Sequence, residues 1–243
     1  MADINAMRAV VTGGSRGIGR AIAKRLSEDG YSVIIFDVQP PEQLYRNEVH
    51  FRVDVANEKE LRAALEEALR TGPITRLVNN AGIVKPAKLE GATVSDFQQV
   101  MAVNLTAALI CAQALFPGMK ECGLGRIVNI SSRAALGKAE RIAYASSKAG
   151  LHGFTKALAL EAGAHGITVN AIGPGPIATE LFTKVNPPGA PATQRILETI
   201  PLKRMGQPHE VAHMVASLLD ERAGYVTGQV MYVCGGMTVG LAS

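Results

Sequence analysis

At 243 residues with 47% apolar content, the chain has material for one large α/β domain or two small ones, and no Pro/Gly/Ser linker or compositional break divides it. The net charge of +4 comes from scattered Lys and Arg, without a basic block or interleaved aromatics; that excludes a nucleic-acid surface and leaves a mild attraction for a phosphate-bearing cofactor or an acidic carrier. Cys111, Cys122 and Cys234 form an odd set without metal-ligand spacing, no apolar segment opens the chain, and no apolar run approaches the ~20 residues of a membrane span, so a soluble, cytoplasmic, single-domain protein (1–243) with reduced thiols and no metal site is expected.

The first informative stretch is Val10-Val11-Thr12-Gly13-Gly14-Ser15-Arg16-Gly17-Ile18-Gly19. Apolar residues lead into it and helical spacing leaves it, which spells strand, glycine turn and helix. Glycines let the backbone approach a ligand closely, and the helix start aims free N–H groups and a positive dipole end at the turn, where a pyrophosphate fits. Residues 31–36 form a short apolar run, as expected of a strand buried on both faces, and it ends at Asp37. Asp37 follows Gly19 by 18 residues. An acid about 20 residues beyond the glycines reads ribose hydroxyls and repels a 2′-phosphate, which favours NAD over NADP. Arg16, within the turn, pulls the other way.

Residues 50–55 predict a third strand, with Asp54 at its tip where an adenine ring would lie. Residues 57–70 predict a helix capped by Asn57 and buried through Leu61, Leu65 and Leu69. A fourth strand, 75–78, runs into Asn79-Asn80-Ala81-Gly82 at a strand's carboxyl end, the ligand edge of an open α/β sheet. Residues 95–120 predict a long helix with Asn104 in its apolar middle, placed either to bond a neighbouring backbone or to bend the helix and hold a water.

The fifth strand, 125–130, ends in Ser131-Ser132, and a helix follows that opens with Tyr144-Ala145-Ser146-Ser147-Lys148. Positions i and i+4 share a helix face, so the tyrosine and lysine converge. A sixth strand, 167–172, ends in the rigid turn Gly173-Pro174-Gly175-Pro176-Ile177-Ala178-Thr179. From 180 to 202 four prolines interrupt any periodicity, which predicts an irregular substrate-binding loop with Leu181, Phe182, Val185, Ile196 and Leu197 as its apolar wall. A helix over 208–219 and a strand over 229–233 complete the chain. Strands and helices alternate throughout, giving an α/β, doubly wound sheet of seven mostly parallel strands with helices on both faces.

With these residues in place the chain resembles the short-chain dehydrogenase/reductases of about 250 residues. The resemblance rests on Thr12-Gly13-x-x-x-Gly17-Ile18-Gly19, Asp54, Asn79-Asn80-Ala81-Gly82, Asn104, Ser132, Tyr144-x-x-x-Lys148 and Pro174-Gly175-x-Ile177-x-Thr179, in the family's order over nearly the whole chain. It implies a Rossmann-type domain and hydride transfer between a nicotinamide and a small-molecule alcohol or ketone. The implied cofactor contacts are Gly13, Ser15, Arg16, Gly17, Ile18 and Gly19 in the turn; Asp37, Asp54 and Val55 at strand tips; Asn80, Ala81 and Gly82; Tyr144 and Lys148; and Pro174, Gly175, Ile177 and Thr179.

The implied catalytic set is Ser132, Tyr144, Lys148 and Asn104. Tyr144 acts as acid or base with its phenol pKa lowered by Lys148, Ser132 steadies the substrate oxygen, and Asn104 holds a relay water. Ser132 stands one residue nearer Tyr144 than the family's spacing; Ser131 keeps that spacing but breaks the strand alignment. Cys234 replaces an acid frequent in relatives. The expected function is an NAD-dependent secondary alcohol dehydrogenase or ketone reductase, with an NADPH-dependent 3-oxoacyl-acyl-carrier-protein reductase as the close alternative and a non-catalytic nucleotide sensor as a remote one. Two helices with apolar residues on several faces, 95–120 and 142–164, point to a homodimer or homotetramer.

Overall fold

The computed structural model describes residues 7–239. Seven strands, β1 (Arg8–Thr12), β2 (Ser32–Asp37), β3 (Glu48–Arg52), β4 (Arg76–Asn79), β5 (Gly125–Ile130), β6 (Ile167–Pro174) and β7 (Val230–Val233), form one sheet in the order β3-β2-β1-β4-β5-β6-β7. Every pairing is parallel, so the sheet is wholly rather than mostly parallel. The order reverses between β1 and β4, which opens a crevice at their carboxyl ends.

The period of two along each strand divides the core into two layers. On β1, Val10 faces a layer with Leu65, Leu115 and Ile127, while Ala9 and Val11 face one with Ile22, Leu26 and Val215. Helices α1 (Gly17–Glu28), α2 (Glu58–Leu69), α3 (Val94–Met101), α4 (Ala107–Cys122) and α5 (Ile142–Ala162) follow in turn, and a later helix spans Pro208–Leu219. Helices α2, α4 and α5 cover the first face; α1 and the Pro208–Leu219 helix cover the second. Truncating a fully buried leucine such as Leu65 or Leu115 to alanine costs about 2–5 kcal/mol in such a core.

At the amino edge of the sheet three buried arginines meet helix ends. Arg8 donates to Ala68 O (2.7 Å) and to Gly72 O after α2, Arg76 to Leu219 O (2.8 Å), and Arg126 to Gly166 O (3.0 Å) beyond α5. Ala68 and Leu219 stand in last helical turns, where carbonyls lack an intrahelical partner, and Gly72 and Gly166 lie just beyond helix ends; a guanidinium satisfies these carbonyls and complements the negative dipole end.

Four expectations change. The 180–202 segment is not irregular: it carries α6 (Glu180–Val185) and α7 (Pro191–Glu198). Thr179 caps α6 and Pro191 opens α7, so the prolines punctuate short helices. The helix expected over 95–120 is α3, a π-helical turn (Ala102–Thr106) and α4 in succession. Together Val94–Cys122 is 29 residues with a window of mean hydropathy 1.7, long and apolar enough to span a bilayer, contrary to the sequence reading; 44% of that window is buried, with Cys111, Leu115 and Met119 in the core. Finally, β3 ends at Arg52, leaving Asp54 in the following turn.

Candidate active site

The glycine turn closes against its neighbours. A Cβ on Gly19 would run into the Gly13 carbonyl oxygen and Asn80 Nδ2, so only glycine lets α1 start this close to β1. Gly17 has φ +55 and lies against Thr179. Thr12 Oγ1 accepts the N–H groups of Asn80 and Ala81, both at 3.0 Å, and Asn80 Nδ2 donates to Thr12 O and Gly13 O, both at 2.9 Å. Asn80 therefore holds the turn in shape rather than offering its amide outward. No side chain caps the start of α1, so its N–H groups remain directed at the turn.

At the tip of β2 the Asp37 carboxylate accepts Ser15 N–H at 3.0 Å and Gln39 N–H at 3.3 Å. Ser15 spends its hydroxyl on Gln39 O at 2.6 Å, so both its donors are bonded within the protein. Arg16 is exposed, and among the described residues its side chain has no hydrogen bond or ion pair. Asp54 is exposed and accepts Ala56 N–H at 2.9 Å; Val55 is buried beside it, and Ile18 packs partly into the core.

Asn79 turns away to Asn129 (2.8 Å), which donates to Thr155 (2.9 Å), a structural chain between strands and α5. Gly175 sits against Cys234, Ile177 is buried and bridges Gly206, and Thr179 caps α6 beside Gly17. The side chains of Leu181 and Val185 lie outside the described residues; Phe182, Ile196 and Leu197 are partly buried.

Lys148 is 3% exposed, and its Nζ donates to Ile130 O at 2.7 Å and lies 5.7 Å from the Tyr144 ring centroid. Burial pulls its ammonium down to about 8. Gly82 leaves the room: a Cβ there would stand 3.3 Å from Nζ. Burial pushes the Tyr144 phenol above its ordinary value, while the Ser132 hydroxyl and then the Arg141 guanidinium pull it down. Within the polypeptide the groups that lower it are thus Ser132 and Arg141, while the Lys148 ammonium is turned to a strand carbonyl.

The two serines separate cleanly. Ser132 stands beside the Tyr144 phenol and accepts Ala134 N–H at 3.1 Å. Ser131 is buried, donating to Lys148 O at 2.9 Å with His152 Nε2 at 2.8 Å. Asn104, in the π-helical turn, accepts Ile83 N–H (2.8 Å) and donates to Ile83 O (3.1 Å) and Ser147 Oγ (3.0 Å). Both its N–H groups are spent, so the side chain clamps the chain after Gly82.

Sequence reasoning missed His152, one turn beyond Lys148 on the same face, a spacing that marks it, and Arg141, three residues before Tyr144. It read Cys234 as buried packing, without a mechanistic role. Its sulfur faces the Gly236, Met237 and Thr238 N–H groups and lies 3.4 Å from Thr238 Oγ1, and these bonds lower its pKa against the opposing effect of burial. It fills the acceptor position of a tight turn, where a carboxylate would serve equally.

A glycine cradle that any Cβ would fill, uncapped helix N–H groups, an acid at the β2 tip and a Tyr-Lys pair along one sheet edge fit a nicotinamide dinucleotide, and define a dinucleotide-dependent oxidoreductase. A family model described as enoyl-(acyl carrier protein) reductase matches residues 13–238. The chain belongs to the short-chain dehydrogenase/reductase family and acts on CH–OH or keto groups with a nicotinamide cofactor. It is 40% identical to an acetoacetyl-CoA reductase of Rhizobium meliloti (94% of this chain, 97% of the relative). It is 37% identical to a 3-oxoacyl-[acyl-carrier-protein] reductase of Synechocystis (98% and 100%). A crystal structure of a putative gluconate dehydrogenase from Agrobacterium tumefaciens superposes with TM-score 0.92 at 32% identity, covering 98% of both chains.

Proposed function

We propose that the chain reduces the 3-keto group of an acyl thioester to the hydroxyl, with NADH as donor. The observation that carries this is the set of Ser132, Tyr144 and Lys148 at the sheet's carboxyl edge, beside the glycine turn. Likeness to reductases of 3-oxoacyl thioesters supports this reading over the general secondary alcohol dehydrogenase that the residues alone favoured. Preference for NADH follows from Asp37, whose carboxylate is fixed by Ser15 and opposes a 2′-phosphate.

When bound, the nicotinamide supplies the hydride. Tyr144 gives its phenolic proton to the carbonyl oxygen, and Ser132 donates a hydrogen bond to that oxygen as charge develops. Lys148 holds ribose hydroxyls and, as an ammonium, favours the phenolate left on Tyr144. Asn104 keeps Gly82 and Ile83 in place beside Lys148. The 180–202 segment closes on the substrate, with Phe182, Ile196 and Leu197 as its apolar side. We further infer assembly through α4 and α5, where Leu109 and Leu160 are exposed; a monomeric mass at micromolar concentration overturns this.

Purified protein with acetoacetyl-CoA, followed by cofactor oxidation, tests the activity. Turnover favouring NADH is expected. No turnover of the thioester, together with NAD-dependent oxidation of a simple secondary alcohol, restores the alcohol dehydrogenase reading. Turnover only with NADPH assigns cofactor choice to Arg16.

A further inference from the structure

Two short segments run side by side next to Tyr144. Ala87 pairs with Arg141 in a parallel bridge and donates its N–H to Glu140 O at 3.1 Å. Lys88 lies on one segment; Lys138 and Arg141 lie on the other, with Arg133 at its start. None of these four cations has an ion-pair partner among the described residues, and the Arg141 side chain donates a hydrogen bond to the Glu140 carbonyl (2.9 Å). Lys85, on the same segment as Lys88, is by contrast paired with Asp96 at 3.3 Å.

The cations also sense one another. Burial lowers the Lys138 ammonium, and Arg141 and Arg133 lower it further. Uncompensated like charges repel, and an anion seated among them relieves that repulsion. Beside the bridge opens a groove of about 350 Å³, lined by Ala87, Leu89, Phe97, Ile142 and Ala143 together with the Lys85–Asp96 ion pair, and it reaches the residue before Tyr144; the four cations stand outside its lining.

We propose that Arg133, Lys138 and Arg141, flanked by Lys88, dock the phosphate groups of coenzyme A, with the thioester arm lying along this groove toward Tyr144. The inference rests on the thioester reductase reading and names its carrier. Guanidinium and ammonium groups suit phosphate oxygens, Arg through its paired donors. The patch is compact, and the exposed carboxylates of Glu90 and Glu140 interrupt it. A small polyphosphate group fits between those acids, whereas the acidic face of a carrier protein would meet them.

Steady-state kinetics on the full chain test this, comparing acetoacetyl-CoA with S-acetoacetyl-N-acetylcysteamine, the same keto thioester without phosphates. For the wild type, kcat/KM for the CoA ester is expected to fall about tenfold from low to moderate salt, with little change for the truncated ester. The double variant Arg133→Glu/Lys138→Glu is expected to lower the ratio of the two kcat/KM values about tenfold or more, mainly through KM. Arg133→Gln/Lys138→Gln serves if charge reversal prevents folding, as judged by NADH binding.

An unchanged ratio with both thioesters reduced overturns the coenzyme A site and leaves the reductase reading standing. Reduction of neither thioester by a wild type that binds nicotinamide overturns both. A larger loss with acetoacetyl-acyl-carrier protein than with the CoA ester assigns the cations to a protein carrier and overturns the coenzyme A assignment.

Discussion

The Asp37 carboxylate accepts the main-chain N–H of Ser15 at 3.0 Å, so the acid at the tip of β2 is locked to the glycine turn. It cannot swing aside for a 2′-phosphate without losing a charge-assisted bond of about 1.5–3 kcal/mol. Asp37→Ser is therefore expected to shift relative affinity from NADH toward NADPH by about 10- to 100-fold. Paired fluorescence titrations measure it; an unaltered ratio would show that Asp37 does not read the ribose.

The two serines give opposite phenotypes. Ser132→Ala is expected to lower kcat by about 100-fold or more with cofactor affinity kept, as is Tyr144→Phe. Ser131→Ala removes the hydroxyl between Lys148 O and His152, with an expected loss of about 1–3 kcal/mol of stability and a kcat within a few-fold of wild type. Kinetics together with urea denaturation separate them, and a reversed pattern would place catalysis on Ser131.

Lys148 gives stability a pH dependence. Its folded pKa, about 8, lies below the ordinary 10.5, so the unfolded chain binds the extra proton between those values. Below about pH 8 the burial of a charged ammonium opposes folding by roughly 3 kcal/mol, and this opposition disappears as pH rises from about 8 to 10.5. Relative to Lys148→Met, the wild type should gain stability across that window in urea titrations without cofactor. Parallel pH profiles for the two proteins would contradict the burial argument.

Gly19→Ala tests the cradle. The added methyl meets the Gly13 carbonyl and Asn80 Nδ2, both held by other bonds, so strain of about 1–3 kcal/mol or more is expected, with cofactor binding lost. Wild-type NADH affinity in this variant would refute the close approach.

Much of this arrangement was legible from local pattern. The apolar run before Gly13, the acid ending β2 and the i, i+4 pair Tyr144 and Lys148 each carry their meaning within a few residues. Partners distant in sequence did not. That Asn104 would spend its amide on Ile83 and Ser147, or Asn80 on Thr12 and Gly13, depends on strand tips brought together only by the sheet. Strand alignment favoured Ser132 and family spacing Ser131; spacing alone does not decide, because successive residues leaving a strand point to opposite sides and only one side holds the tyrosine. The prolines of 187–201 were misread because proline disrupts a helix interior yet suits its first turn, as at Pro191.

The arginine ties at the foot of the sheet have a consequence for how such a chain can change. Arg8, Arg76 and Arg126 anchor three helix ends at the strand starts, while every group assigned to chemistry sits at the opposite rim. Rigidity and reactivity are thus written in separate places. A loop at the rim, such as the one between Ser132 and Tyr144 that carries Lys138 and Arg141, can change in length or charge with the anchored end unmoved. New substrates can be tried at one end of the molecule while the other keeps it folded.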